Sequence, residues 1–401
     1  MASRKVHGLF ALVVFSSALP FSQVVPTVVG TPVLVFVVAG LSTVLLFEEE
    51  LTVRIPKLAL STFFPLTGIL FIHVFLFNFQ EASVAVLPAY TFFTAGVMLF
   101  VIPYEITAET AYGYVARVGI LIGLIGLPVA IFGQVDYGLF SISSNAGGMR
   151  MFRDTLPPDT VGPLLSIYRN PNVTGQLLFV AVIGSIGEWL RQRTLVSTGL
   201  VILNSVFLYL TESRGAIIAG AVGVAALLAY RHINRRVFLI GTVFAYVGIT
   251  AFVVGSMMKP EIVPPIIDLT GRGKIWRATI QVARNTNVVF GAGLYGGGIL
   301  EQVGGVNAVN PHSTYLQMLM WTGVAGLVLW LTLFWGSLLD GIYRNIDAVP
   351  VAVGVGLVVR GIFEAINPFG TATGAILLTL TIGYLISSGP RHTIRIIGSE
   401  H

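Results

Sequence analysis

The feature that most constrains this chain is the recurrence of apolar runs about 20 residues long. They fall at about 6–25, 27–46, 58–79, 82–103, 112–133, 172–189, 194–211, 214–230, 237–258, 314–338, 348–366 and 372–389. As a helix, a run of that length crosses a hydrocarbon core about 30 Å thick while bonding its own backbone groups. The pattern predicts an all-α fold: a polytopic transmembrane bundle of about 12 helices, with residues 1–401 as a single transmembrane domain. Only 10% of the residues are charged, against about a quarter in a soluble domain, so lipid is the solvent for most of the surface. With no cysteine, disulfides, a thiolate nucleophile and cysteine metal sites are excluded. The first run is too long for a secretory signal and has no clear small-residue cleavage site.

Lys and Arg in short loops set the orientation. Twelve spans place both termini on one side, together with 13 of the 23 basic residues, from Arg4 and Lys5 through Arg54, Arg191 and Arg235 to Arg395. That side is read as cytoplasmic, giving an N-in, C-in protein of the inner membrane. On the outer side two loops are long, 134–171 and 259–313. Long connections inside a compact domain carry function or disorder, and neither loop is disordered in composition. In the second, Trp276, Ile280 and Ala283 recur at helical spacing, with Arg277, Gln281 and Arg284 on another face. This predicts a short amphipathic helix along the outer membrane–water interface.

Nine basic residues lie on the outer side against the positive-inside trend: Arg150, Arg153, Arg169, Arg214, Lys259, Arg272, Lys274, Arg277 and Arg284. Such a mouth suits an anionic ligand, phosphate above all, because a guanidinium binds it bidentately. Headgroup contact or simple solvation is the bland alternative for each. Arg214 sits in Thr211-Glu212-Ser213-Arg214-Gly215, a turn between two apolar spans. An ionisable group at that depth is expensive and functional by default, a snorkelling anchor or a salt bridge to Glu212 being the alternative. Arg272, in Thr270-Gly271-Arg272-Gly273-Lys274, combines a guanidinium with a helix start and makes a candidate phosphate seat.

His312, in Asn310-Pro311-His312-Ser313-Thr314-Tyr315, is the histidine at the outer mouth; His73 lies inside a span and reads as a packed polar group. A neutral imidazole at that mouth can accept a proton at working pH. Asn170-Pro171-Asn172 is a helix start. Arg360 and Glu364, four apart within a span, share a face and read as a brace, with membership of a polar cavity as the alternative.

Taken in order, these pieces resemble the O-antigen ligase and O-antigen polymerase superfamily of membrane glycosyltransferases. The matching residues are Asn170 to Gly175, Ser213-Arg214-Gly215, Arg272 with Trp276, and Gly291-Ala292-Gly293. Next come His312 followed by Tyr315-Leu316-Gln317, and Gly323-Val324-Ala325-Gly326-Leu327. The resemblance covers roughly 168–335 and departs from the family at Ser313, where members often carry Asn.

It implies transfer of a glycan from a polyprenyl-diphosphate carrier to an acceptor hydroxyl at the outer face, ligase-like or polymerase-like. Catalysis would fall to His312 as general base, with Arg214 and Arg272 neutralising the leaving diphosphate. Arg169, Lys274, Arg277, Arg284, Glu212 and Tyr315 would bind substrate. No cluster of Asp, Glu, His or Cys with metal-ligand spacing lies on the outer side, so the expected reaction is metal-independent, without cofactor, and inverting. Expected partners are the lipid-linked glycan donor, a lipid, glycan or protein acceptor, and membrane lipids. The basic residues form no nucleic-acid patch. One alternative is a transporter or flippase of an anionic lipid-linked saccharide, whose site would lie near the midplane. A structural or assembly protein is the other.

Overall fold

The apolar runs become helices whose ends are set by identifiable caps. In the computed structural model, residues 3–48, 52–77, 82–138, 141–143, 162–258, 272–293, 300, 301, 306, 308, 310–366, 373–387 and 391–395 are described. The chain begins with α1 (Arg4–Ser16), a 3-10 turn (Leu19–Phe21), α2 (Thr27–Glu48), β1 (Thr52–Pro56), α3 (Lys57–Phe77), α4 (Ala82–Phe100), α5 (Ile102–Glu105) and α6 (Ala108–Phe132). A short hairpin, β2 (Gln134–Asp136) with β3 (Ser141–Ser143), precedes α7 (Pro171–Gln192), α8 (Leu195–Leu210), α9 (Arg214–His232) and α10 (Arg235–Met258). The rest is α11 (Arg272–Asn285), α12 (Thr314–Arg344), α13 (Ala348–Phe363), α14 (Thr373–Ile386) and β4 (Arg391–Arg395). Asn170 caps α7, its side chain accepting from the Asn172 N–H at 2.9 Å, with Pro171 at the first helical position. A capping box of Thr194 and Ser197 opens α8, and Asp347 caps α13. Each satisfies amides that have no intrahelical acceptor.

Every expected run overlaps a helix among the described residues. Five are long and apolar enough to cross a membrane by themselves, including Ala108–Phe132, Pro171–Gln192 and Thr314–Arg344, and five more apolar helices are shorter. The chain is a multi-pass membrane protein. The first run departs from expectation. Instead of one span over 6–25, α1 stops at Ser16, where the Ser16 and Ser17 hydroxyls bond back to Val13 O and Val14 O, and Pro20 enters the 3-10 turn. Its 13 residues reach only about 20 Å.

β1 and β4 pair antiparallel, Thr52 opposite Arg395 and Pro56 opposite Arg391. The α2–α3 connection and the segment after α14 therefore share one face of the bundle. The starts of α7, α9, α12 and α14 and the end of α13 lie on the opposite face, called here the site face. α6 and α7 are joined by Arg117 and Glu188, paired through two hydrogen bonds of 2.8 and 2.9 Å.

α12 is broken at Gly323, where φ 64° and ψ −165° leave the helical region. Breaking a helix orphans backbone groups, and in a membrane protein these need partners. The segment after α11 supplies them. Ala292 N and Gly293 N donate to Met320 O and Trp321 O at 2.8 and 3.0 Å, while Val324 N and Ala325 N donate to Val288 O and Val289 O at 2.9 and 3.0 Å. The buried His73 ring donates from Nε2 to Phe290 O at 2.5 Å, fixing the same segment from α3. The amphipathic helix expected over this stretch is present as α11. Its apolar face, Trp276, Ile280 and Ala283, is buried against protein, because α12 offers that face a partner.

Gly323 occupies a backbone region that only glycine enters without strain, and a Cβ there would collide with Val289 O. Gly323→Ala is expected to cost about 1–3 kcal/mol and to lower the melting temperature of the purified protein. Gly68→Ala, where a Cβ meets nothing within 4 Å, is the matched control. Equal melting of the two variants would contradict the docked-loop geometry.

Candidate functional site

On the site face, five elements place their ends together: the starts of α7, α9, α11 and α12 and the end of α13. Arg360, in the last turn of α13, is fully buried. Its Nη2 donates to Asn172 O at 3.0 Å and lies 3.7 Å from Glu364 Oε2. Asn172 in turn accepts a hydrogen bond from the Ser213 hydroxyl at 2.8 Å, tying α7 to the turn before α9. Gly215 makes room for the guanidinium, since a Cβ there would sit 2.5 Å from Arg360 Nη1. Arg360 Nε and Glu364 Oε2 are buried without a hydrogen-bond partner among the described residues.

Glu364 follows the end of α13 in extended conformation. Its Oε1 lies 3.0 Å from His312 Nδ1. A carboxylate oriented this way fixes the tautomer with Nδ1 protonated and leaves Nε2 as the acceptor. Burial pushes the Glu364 carboxyl up, but the His312 hydrogen bond and the charges of Arg360 and Arg272 outweigh it and hold the group below the usual carboxylate range. The position is secured from both sides. Thr314 Oγ1 donates to Glu364 O at 3.0 Å and accepts from Ile366 N at 2.9 Å, and the Tyr315 hydroxyl donates to Val358 O at 3.1 Å. His312 is itself left-handed, with φ 48°, and its N–H donates to the Asn310 side chain at 2.9 Å. Such backbone strain in a residue other than glycine persists only where its surroundings over-determine it, and it clusters at functional sites.

Arg272 is the first residue of α11. Its Nη1 donates to Phe363 O at 2.6 Å, at the end of α13. Trp276, one turn on, donates from Nε1 to Pro311 O at 2.9 Å, so α11 is pinned to the segment that carries His312.

Of the residues expected to act, His312 and Arg272 are brought together. Arg214 is exposed at the start of α9, next to the Gly215 that faces Arg360. Glu212 is left-handed, with φ 53°. Arg169 is exposed, with its Nε bonded to Ser22 O at 3.0 Å rather than turned to His312. Tyr315 is buried and serves as a tie between α12 and α13. Lys274, Arg277 and Arg284 are exposed on the face of α11 away from Arg272. Arg150, Arg153 and Lys259 lie outside the described residues. Sequence reasoning underrated Arg360 and Glu364. They do pair, but the second carboxylate oxygen belongs to His312, 52 residues away in the chain. The local signal was an acid and a base four apart at the end of an apolar run.

Removing the acid alone strands a buried guanidinium. Glu364→Gln is expected to destabilise the protein by about 3–5 kcal/mol, and Arg360→Met combined with it to restore part of that loss. The carboxyl titrates lower in the folded chain than in the unfolded one. Its contribution is therefore complete above the ordinary carboxylate value of about 4.3 and lost as the pH falls through the folded value. The melting temperature of the native protein should drop more steeply below about pH 5 than that of the double variant. Parallel curves would refute the pairing.

The family model described as O-Antigen ligase matches residues 199–331, from α8 into α12. The matched stretch carries Arg214, Arg272 and His312 and stops short of Arg360 and Glu364. No curated protein matches the chain. The match supports the resemblance to the O-antigen ligase and polymerase superfamily read from the sequence, over this stretch of the chain.

Proposed function

We propose that this chain is a member of the O-antigen ligase and polymerase superfamily and transfers a glycan from a polyprenyl-diphosphate carrier to an acceptor hydroxyl, on the outer face of the cytoplasmic membrane. The observation that carries the reading is the His312 Nδ1 to Glu364 Oε1 contact of 3.0 Å, beside two guanidinium groups at the membrane edge. His312 Nε2 takes the proton of the acceptor hydroxyl as its oxygen forms the new bond to the anomeric carbon. The bond from that carbon to the diphosphate oxygen breaks on the opposite side, which inverts the configuration. Glu364 balances the imidazolium while it lasts. Arg272 and Arg214 receive the charge that collects on the leaving diphosphate. Arg360 positions rather than touches: it holds Glu364 and the α7 cap in place. Supplying positive charge from side chains makes the step independent of a divalent cation in this reading. The single large loop bearing Arg272 and His312 favours one addition, ligase-like, over polymerisation.

A second reading draws on a different observation. A cavity of about 300 Å³ lies on the face opposite His312, lined by Glu109, Thr110, Gly113, Tyr114, Arg117, Glu188 and Gln192. A polar cavity on that face suits a transporter of an anionic lipid-linked saccharide. Against it, Leu177 to Ile183 of α7, between the cavity and Arg360, are all buried.

Purified protein in EDTA, given a polyprenyl-diphosphate glycan and candidate acceptors, should release polyprenyl diphosphate. His312→Ala should slow release by about 10²- to 10⁴-fold and Arg272→Ala by about 10²- to 10³-fold. A single product would mark a ligase and a ladder a polymerase. Undiminished release by a folded His312→Ala protein would end the mechanism, and transport of the donor without release would select the second reading.

A further inference from the structure

The cations of α11 divide into two sets. At 100° per residue, Arg272, Trp276, Ile280 and Ala283 occupy an arc of about 80° that faces the protein. Lys274, Arg277, Gln281 and Arg284 occupy another arc of about 80°, and all four are exposed. No Asp or Glu occurs between 272 and 293. The stripe places Lys274, Arg277 and Arg284 along about 15 Å of helix.

The segment immediately after α11 is equally unusual. Val288, Val289 and Phe290 are 46%, 52% and 49% exposed, yet their backbone is among the most firmly held on this face. Asn287 Oδ1 accepts from Val289 N and Phe290 N at 3.0 Å each, and the segment is bonded to the break in α12 and to His73. Three apolar side chains are thus displayed on a fixed tip. The tip docks beside Gly323, 21 residues before the end of α12 at Arg344, or about 32 Å along the helix. The tip follows α11 directly in the chain, so the cationic stripe and the apolar tip adjoin on one exposed surface.

We infer that the exposed face of α11 and the Val288–Phe290 tip form a docking surface for anionic phospholipid in the leaflet on the site face. The tip enters the acyl boundary, and Lys274 and Arg277 take headgroup phosphates. A soluble polyanion would use the stripe but leave the tip in water; a lipid surface accounts for both. The inference rests on the membrane reading and does not require the transfer chemistry.

Because the chain has no cysteine, a fluorophore can be placed at one position at a time through Gln281→Cys or Val289→Cys. Each labelled protein is reconstituted in nanodiscs of phosphatidylcholine, with or without phosphatidylglycerol, and titrated with acrylamide. The label at position 289 should be shielded in both lipids. The label at position 281 should be shielded more with phosphatidylglycerol, and Lys274→Gln with Arg277→Gln should abolish that difference. Each cation lost is worth about fivefold in preference for an anionic headgroup. Melting curves of the labelled variants verify the fold. A water-accessible label at 289 would overturn the inference. So would equal quenching at 281 in the two lipids, or protection at 281 by inorganic phosphate in phosphatidylcholine alone, which would assign the stripe to a soluble anion.

Discussion

A fully buried guanidinium dictates the arrangement of the site face. Arg360 is fully enclosed, and an enclosed charge costs several kcal/mol unless its surroundings answer it. Every neighbour reads as such an answer. Glu364 supplies the opposite charge, Asn172 turns a carbonyl toward it, and Gly215 gives up its side chain so that α9 can approach. Because Glu364 is held by this demand, it is rigid enough to orient His312. The catalytic geometry proposed here is thus a by-product of neutralising one cation.

The break in α12 obeys the same logic for the backbone. Gly323 interrupts the helix, and four amides and carbonyls find partners in the segment after α11. That segment carries α11 with it, and α11 carries Arg272 to the end of α13. The loop is therefore positioned from both ends: by Arg272 and Trp276 near His312 and by the backbone pairing at Gly323.

Much of the fold was legible in the sequence. A 20-residue apolar run becomes a helix because nothing else satisfies its backbone in lipid, so helix positions followed from hydropathy. The start of α11 at Arg272 and its Trp276–Ile280–Ala283 face followed from periodicity. The surface that face meets did not, since protein and lipid are equally apolar. The stop after Ser16 was signalled by Ser16, Ser17 and Pro20, but the run continued in hydropathy. The break at Gly323 was invisible inside a continuous apolar stretch, because it depends on partners in another segment. The His312–Glu364 contact spans 52 residues, and no local pattern specifies which acid a distant histidine will find.

The account stands on Glu364 orienting His312 for proton transfer. The direct measurement is the single-turnover rate of glycan transfer by Glu364→Gln, taken beside its affinity for polyprenyl diphosphate under conditions where the variant is folded. The account predicts a rate lowered by about 10²-fold or more with affinity nearly unchanged, since the amide no longer balances the imidazolium while Arg272 and Arg214 still meet the carrier. A rate equal to that of the native protein would contradict it.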